Sequence, residues 1–154
     1  MDTSKEYIKM CQEAKDLQRS WLSRTGDYLF DSRLKSPSVS IYVSELDKYV
    51  EGFGQRFDVG ILIWLPRQDQ LQDMSDNISD KGLFFWSLSN CAEGWLCVGR
   101  DIAEQMIYPR EERYLIGEDY SETAEQALLK MYIGIGCNKT WNGKGWIDDR
   151  TNVI

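Results

Sequence analysis

Asp58-Val59-Gly60-Ile61-Leu62-Ile63-Trp64-Leu65-Pro66-Arg67-Gln68-Asp69-Gln70-Leu71 is the stretch on which the fold turns. From Val59 to Leu65 it is apolar but for one glycine. That is the longest such run in the chain, and it falls far short of the ~20 residues of a membrane span. Its length and continuity predict a central strand covered on both faces. Pro66 cannot donate to a sheet ladder, but its fixed φ suits the first turn of a helix, so a helix is expected over 66–74. A buried strand that feeds a helix argues for mixed architecture.

The flanking segments agree. Residues 3–23 predict a helix, with Met10, Ala14, Leu17 and Trp21 at 4-3-4 spacing and Thr3 with Glu6 as a capping box. Tyr28-Leu29-Phe30 is a short strand candidate. In 38–44, Val39, Ile41 and Val43 alternate with Ser38, Ser40 and Ser44, the period of a half-buried strand. A helical turn over 45–53 and a polar loop over 75–81 follow. Residues 82–89 fit a short buried helix or a strand; Asn90 as an end cap favours the helix. Residues 95–100 and 113–117 read as strands, and the long excursion between them (101–112) carries Met106, Ile107 and Tyr108. Ser121 is placed to cap a last helix whose stripe is Ala124, Leu128, Met131 and Ile135. The whole predicts one α+β domain, 1–154 with an ordered core over 3–147: an antiparallel or mixed sheet packed by N-terminal and C-terminal helices.

Composition narrows the chemistry. The chain has 154 residues, 18 basic against 25 acidic side chains, a net charge of −7 and no histidine. Without histidine there is no Ser-His-Asp or Cys-His pair and no imidazole metal ligand. The acids are spread along the chain, so the acidity reads as a solvated surface and argues against direct binding to nucleic acid or an anionic membrane. Cys11, Cys91, Cys97 and Cys137 form no C-x-x-C pair and read as free thiols of a reducing cytoplasm. The polar N-terminus does not resemble a signal peptide.

Few motifs carry chemistry. Arg67, Gln68, Asp69 and Gln70 leave the apolar strand and enter a helix, where they are placed to meet an anion or a peptide backbone; the plainer reading is a polar strand-to-helix junction. The acid pairs Glu111/Glu112, Glu118/Asp119 and Asp148/Asp149 have side chains that diverge on any regular element. A metal or acid-base site would require at least three of Asp69, Asp73, Glu111, Glu112, Glu118 and Asp119 to converge. Gly134-Ile135-Gly136 and Gly143-Lys144-Gly145 lack the strand-loop-helix setting of a phosphate loop. Asn142-Gly143 predicts a two-residue hairpin that pairs Trp141 with Lys144 and Lys139 with Trp146, leaving both tryptophans on one face. That face suits an interface, or equally a tail docked on the first helix.

Three blocks carry a resemblance: Ile63-Trp64-Leu65-Pro66-Arg67-Gln68-Asp69-Gln70-Leu71-Gln72, Ala127-Leu128-Leu129-Lys130-Met131-Tyr132, and Trp141-Asn142-Gly143-Lys144-Gly145-Trp146. Across 3–147 the chain resembles small proteins of unassigned activity encoded by phages and prophages of Gram-positive bacteria. The resemblance implies a phage-associated, cytosolic origin and carries over no functional residues. Residues 95–100, 113–117 and 123–128 are also similar to the strand–strand–helix ending of phage α-β-α sandwich domains and of HicB-type antitoxins. The insert at 101–112 and the lack of a DNA-binding tail depart from the antitoxin pattern.

The expectation is therefore a phage accessory protein that is not an enzyme, takes no cofactor, and acts by binding a protein partner, with a homo-oligomer as a further expectation. Its candidate interaction residues are Arg67, Gln68, Asp69, Gln70, Tyr108, Trp141 and Trp146. Two alternatives stand beside it: an acidic nucleic-acid mimic that inhibits a host enzyme, and a carboxylate or metal-dependent enzyme.

Overall fold

The computed structural model describes residues 1–22, 24, 26–33, 39–41, 62–79, 84–101 and 120–148. Among them are four helices and seven strands, all strand pairs antiparallel, so the fold is mixed α+β. None of these helices is long and apolar enough to cross a membrane. The expectations for 42–61, 80–83 and 102–119 lie outside the described residues, among them the helical turn at 45–53, the excursion after Asp101 and the strand at 113–117. The chain forms two compact units, one of Thr3–Arg67 and one of Met1–Asp2 with Gln68–Ile154.

The Thr3–Arg67 unit contains α1 (Lys5–Glu13), α2 (Lys15–Ser20), β1 (Tyr28–Asp31), β2 (Val39–Ile41) and β3 (Leu62–Leu65). The strands form one sheet in the order β2-β1-β3, with Leu29 opposite both Ser40 and Trp64. The apolar strand expected at the centre thus lies at an edge among the described residues. It is nonetheless buried, with Ile63, Trp64 and Leu65 nearly inaccessible, because α1 packs on it. Tyr7, Met10 and Cys11 form the buried side of α1, and the Tyr7 hydroxyl donates to the Pro66 carbonyl.

The helix expected over 3–23 is broken at Ala14, whose ψ of 64° ends α1. Its cap also differs from the expected box. Ser4 Oγ accepts from the Tyr7 N–H at 3.1 Å, which leaves Glu6 one position short of the reciprocal contact. The break has a tertiary cause in Gln18. In a continuous helix residues 11 and 18 stand about 10.5 Å apart along the axis. Here Gln18 Nε2 donates to the Cys11 carbonyl at 3.1 Å and to the Trp64 carbonyl at 2.9 Å, while its Oε1 accepts from the Trp64 N–H at 2.9 Å. One buried carboxamide therefore closes the free edge of β3 as a neighbouring strand would.

The other unit contains α3 (Gln68–Ser79), β4 (Phe84–Cys91), β5 (Gly94–Asp101), α4 (Ala124–Cys137), β6 (Lys139–Trp141) and β7 (Trp146–Asp148). Helix α3 begins two residues after Pro66 and runs through most of the loop expected at 75–81. Residues 84–91 are a strand, where the sequence favoured a helix. The Ala92-Glu93 turn brings β5 back along β4, pairing Cys91 with Gly94 and Phe84 with Asp101, and this ladder outweighs local preference. Helix α4 packs on α3, β5, β4 and β6.

Thr123, not Ser121, caps α4: its Oγ1 accepts from the Gln126 N–H at 3.2 Å. Ser121 instead pairs main chain to main chain with Trp95, giving and receiving a bond of 2.8 Å. Burial on α4 extends beyond the expected stripe to Glu125, Gln126, Leu129 and Ile133, whereas Ile135 is half-buried. The helix ends at Asn138 in the left-handed region (φ 54°). At its start the buried Asp2 carboxylate accepts from Thr123 Oγ1 at 2.8 Å and Gln126 Nε2 at 2.9 Å, and the Met1 ammonium lies 3.1 Å from Glu125.

Candidate functional site

The four residues Arg67, Gln68, Asp69 and Gln70 are split between the two units. The division between the two units falls after Arg67. Arg67 reaches back into its own unit, where Nη1 donates to the Gly26 carbonyl at 2.7 Å. Gly26 holds a φ of +93°, which a side chain would resist. Gln68, Asp69 and Gln70 form the first turn of α3 and point about 100° apart around its axis. Through this bond Arg67 ties its own strand end to the turn at Gly26.

That turn holds a buried carboxylate that sequence reasoning overlooked. Asp27 is 1% exposed and its Oδ2 accepts from Trp21 Nε1 and from the Arg24 N–H, both at 2.8 Å. The Trp21 ring stacks on Trp64 with centroids 5.8 Å apart and planes 10° from parallel. Trp64 Nε1 is buried without a hydrogen-bond partner among the described residues, as is Ser121 Oγ. The only sequence signal for Asp27 was an acid directly after Gly26. For Gln18 it was a polar residue beside Leu17 on the buried side of a helix.

Trp141 and Trp146 are brought together, but not by the predicted turn. They are direct cross-strand partners, with Lys139 opposite Asp148, so the loop is 142–145 rather than Asn142-Gly143 alone. Asn142 explains the longer loop: its Oδ1 accepts from the N–H groups of Lys144 and Gly145, both at 2.9 Å. An Asn side chain that takes up two loop amides builds a wider turn than type I′ requires. The two indoles lie 5.1 Å apart and tilted by 57°. Trp141 is buried and Trp146 half-buried, while Ile147, on the opposite side of β7, is 42% exposed. Tyr108 lies outside the described residues.

Among the described residues, burial and close neighbours shift several titratable groups. Burial pushes the Cys97 thiol up from 9.0 to about 12, so it stays protonated at neutral pH and is a poor nucleophile. Burial, then Cys137, raises Tyr132. On the surface, bonds from the Arg33 guanidinium and N–H lower Asp31 to about 2. All four cysteines are free, Cys11 and Cys97 buried and Cys91 and Cys137 half-buried. Among the described residues no three acids or thiols stand close enough to hold a metal ion. Of the six acids singled out for an enzymatic site, Asp69 and Asp73 are exposed on α3 and the other four lie outside the described residues. No protein-family model matches the chain, and neither a curated protein nor a solved structure matches it.

Proposed function

We propose that the protein acts by binding another protein, with the C-terminal tryptophan hairpin as part of the contact surface, and that it is a phage accessory protein as the sequence resemblance implies. The observation that carries this reading is the hairpin itself. A directly paired Trp141 and Trp146 stiffen two short strands, and β7 then presents a half-exposed Trp146 on one side and an exposed Ile147 on the other. Tryptophan on a rigid support loses little conformational entropy when covered and is enriched among residues that dominate binding energy.

The test is affinity capture from a bacterial host lysate on immobilised wild-type protein, Ile147→Asp and Trp146→Ala, each checked for an unchanged circular dichroism spectrum. A protein retained by the wild type and lost from at least one variant supports the reading and says which side of β7 it covers. Capture of nothing, or the same capture by all three, overturns it.

A further inference from the structure

Among the described residues β4 is an outer strand, and its edge can be mapped atom by atom. Trp95 exchanges two main-chain bonds of 2.8 Å with Ser121, so its N–H and C=O both point away from β4. In an antiparallel ladder, pairs that bond across alternate with pairs whose groups point outward. Asn90 stands opposite Trp95, so its N–H and C=O also face outward, and by the same alternation so do those of Leu88 and Trp86. Among the described residues no strand pairs with that edge.

This edge also lacks the usual protection. Residues 82–92 contain no Asp, Glu, Lys, Arg or Pro, the longest uncharged stretch in a chain whose residues are 28% charged. Edge strands that stay single are guarded by charges, prolines or bulges.

We infer that β4 pairs with β4 of a second copy of this chain, antiparallel about a two-fold axis, giving a continuous sheet in the order β5-β4-β4-β5. The axis keeps each sheet face on its own side, so residues of like parity must meet. Centred on Leu88, the register sets Leu88 against its own copy and Trp86 against Asn90. These are the outward-facing residues, so each pair exchanges two main-chain bonds. Ser87 then meets Ser89 of the second copy, both exposed and uncharged, and no like charges are set opposite one another. Two chains of net charge −7 repel each other, and pairing through 82–92, which carries no charge, adds no further like-charge contact at the seam. This surface is separate from the tryptophan hairpin and does not depend on the partner proposed there.

The test is size-exclusion chromatography with light scattering on the full chain. The wild type is expected at twice the 17.9 kDa of one chain. Asn90→Pro removes an outward N–H and leaves the β4–β5 ladder its bonds; the double variant Ser87→Lys, Ser89→Lys sets positive charges across the axis. Both are expected at the mass of one chain. A wild-type monomer, or folded variants that remain dimers, overturns the inference. Hydrogen exchange on the wild type decides the matter if a variant fails to fold. The amides of Trp86, Leu88 and Asn90 should exchange at least about tenfold more slowly than open edge amides. Exchange at the open rate overturns the pairing.

Discussion

Replacing Gln18 with methionine removes three hydrogen bonds and keeps the side chain's length. The Cys11 carbonyl still accepts from the Ala14 N–H at 3.2 Å, so it is not stranded. The Trp64 N–H and C=O are: both face the sheet edge that Gln18 closes, in a residue 6% exposed. A buried main-chain group left unpaired costs roughly 1–3 kcal/mol, so two cost about 2–6. The apolar methionine returns roughly 1 kcal/mol through burial. The expected net loss is about 3 kcal/mol, read as a lower urea midpoint, with faster exchange of the Trp64 amide.

Gln18→Glu refines the case. Its carboxyl keeps an acceptor for the Trp64 N–H but turns an oxygen toward the carbonyls of Cys11 and Trp64, which raises its pKa above the usual ~4.3. A folded pKa above the unfolded one means stability that is full below ~4.3 and lost as pH rises through the folded value. This variant should therefore weaken relative to wild type as pH climbs from 4 toward 7. A Gln18→Met protein within about 0.5 kcal/mol of wild type would refute the edge-closing role, since surface substitutions alone reach that size.

Gly94 has a φ of +130°, and a Cβ there would lie 2.6 Å from the Ser121 carbonyl oxygen. Gly94→Ala should cost about 3 kcal/mol in chemical denaturation, and a neutral result would contradict the Trp95–Ser121 pairing. Cys97 should keep its proton until about pH 12 in the folded chain, against 9.0 when unfolded. Its raised pKa supports the fold fully below pH 9 and progressively less from 9 to 12. The stability lost on Cys97→Ala should accordingly shrink over that range, measured by urea titration at several pH values. At pH 8, thiol labelling followed by mass spectrometry should mark Cys91 and Cys137 well before Cys11 and Cys97. Asn138→Gly, at the left-handed end of α4, should raise the melting temperature through a gain of about 0.5 kcal/mol.

Much of the fold was legible where periodicity and burial coincide. The strand at residues 39–41, the β3 run and α4 fall within the segments their patterns predict, β1 runs one residue past its segment, and α3 starts in its segment but continues through most of the expected loop. The misplacements share a cause. Residues 84–91 carry aromatics that suit either element, and only the Ala92-Glu93 turn with β5 decides between them. Ala14 is the best of helix formers, yet the helix breaks there because Gln18 must reach Trp64, a contact across 46 residues that no local window contains. Ser121 has the chemistry of a cap but is drawn to the main chain of Trp95, so Thr123 takes the role. Of the candidate residues, Trp141 and Trp146 share a hairpin as their spacing suggested, whereas the bond from Arg67 to Gly26, 41 residues away, lies outside any local window.

Asp2 has a consequence for the order in which the chain takes shape during synthesis. It bonds residues 121 and 124 positions further on, while Thr3–Arg67 forms the other unit between Asp2 and Gln68. On the ribosome, Thr3–Arg67 is complete and free to fold while α4 has yet to be made. The second residue of the chain must wait until Gln126 emerges. The hairpin β4–β5 joins neighbours made before α4 and closes early, whereas the seat of Asp2 spans most of the sequence and must come later. A nascent chain stopped before α4 lacks the Thr123 hydroxyl and the Gln126 amide that Asp2 bonds in the finished fold.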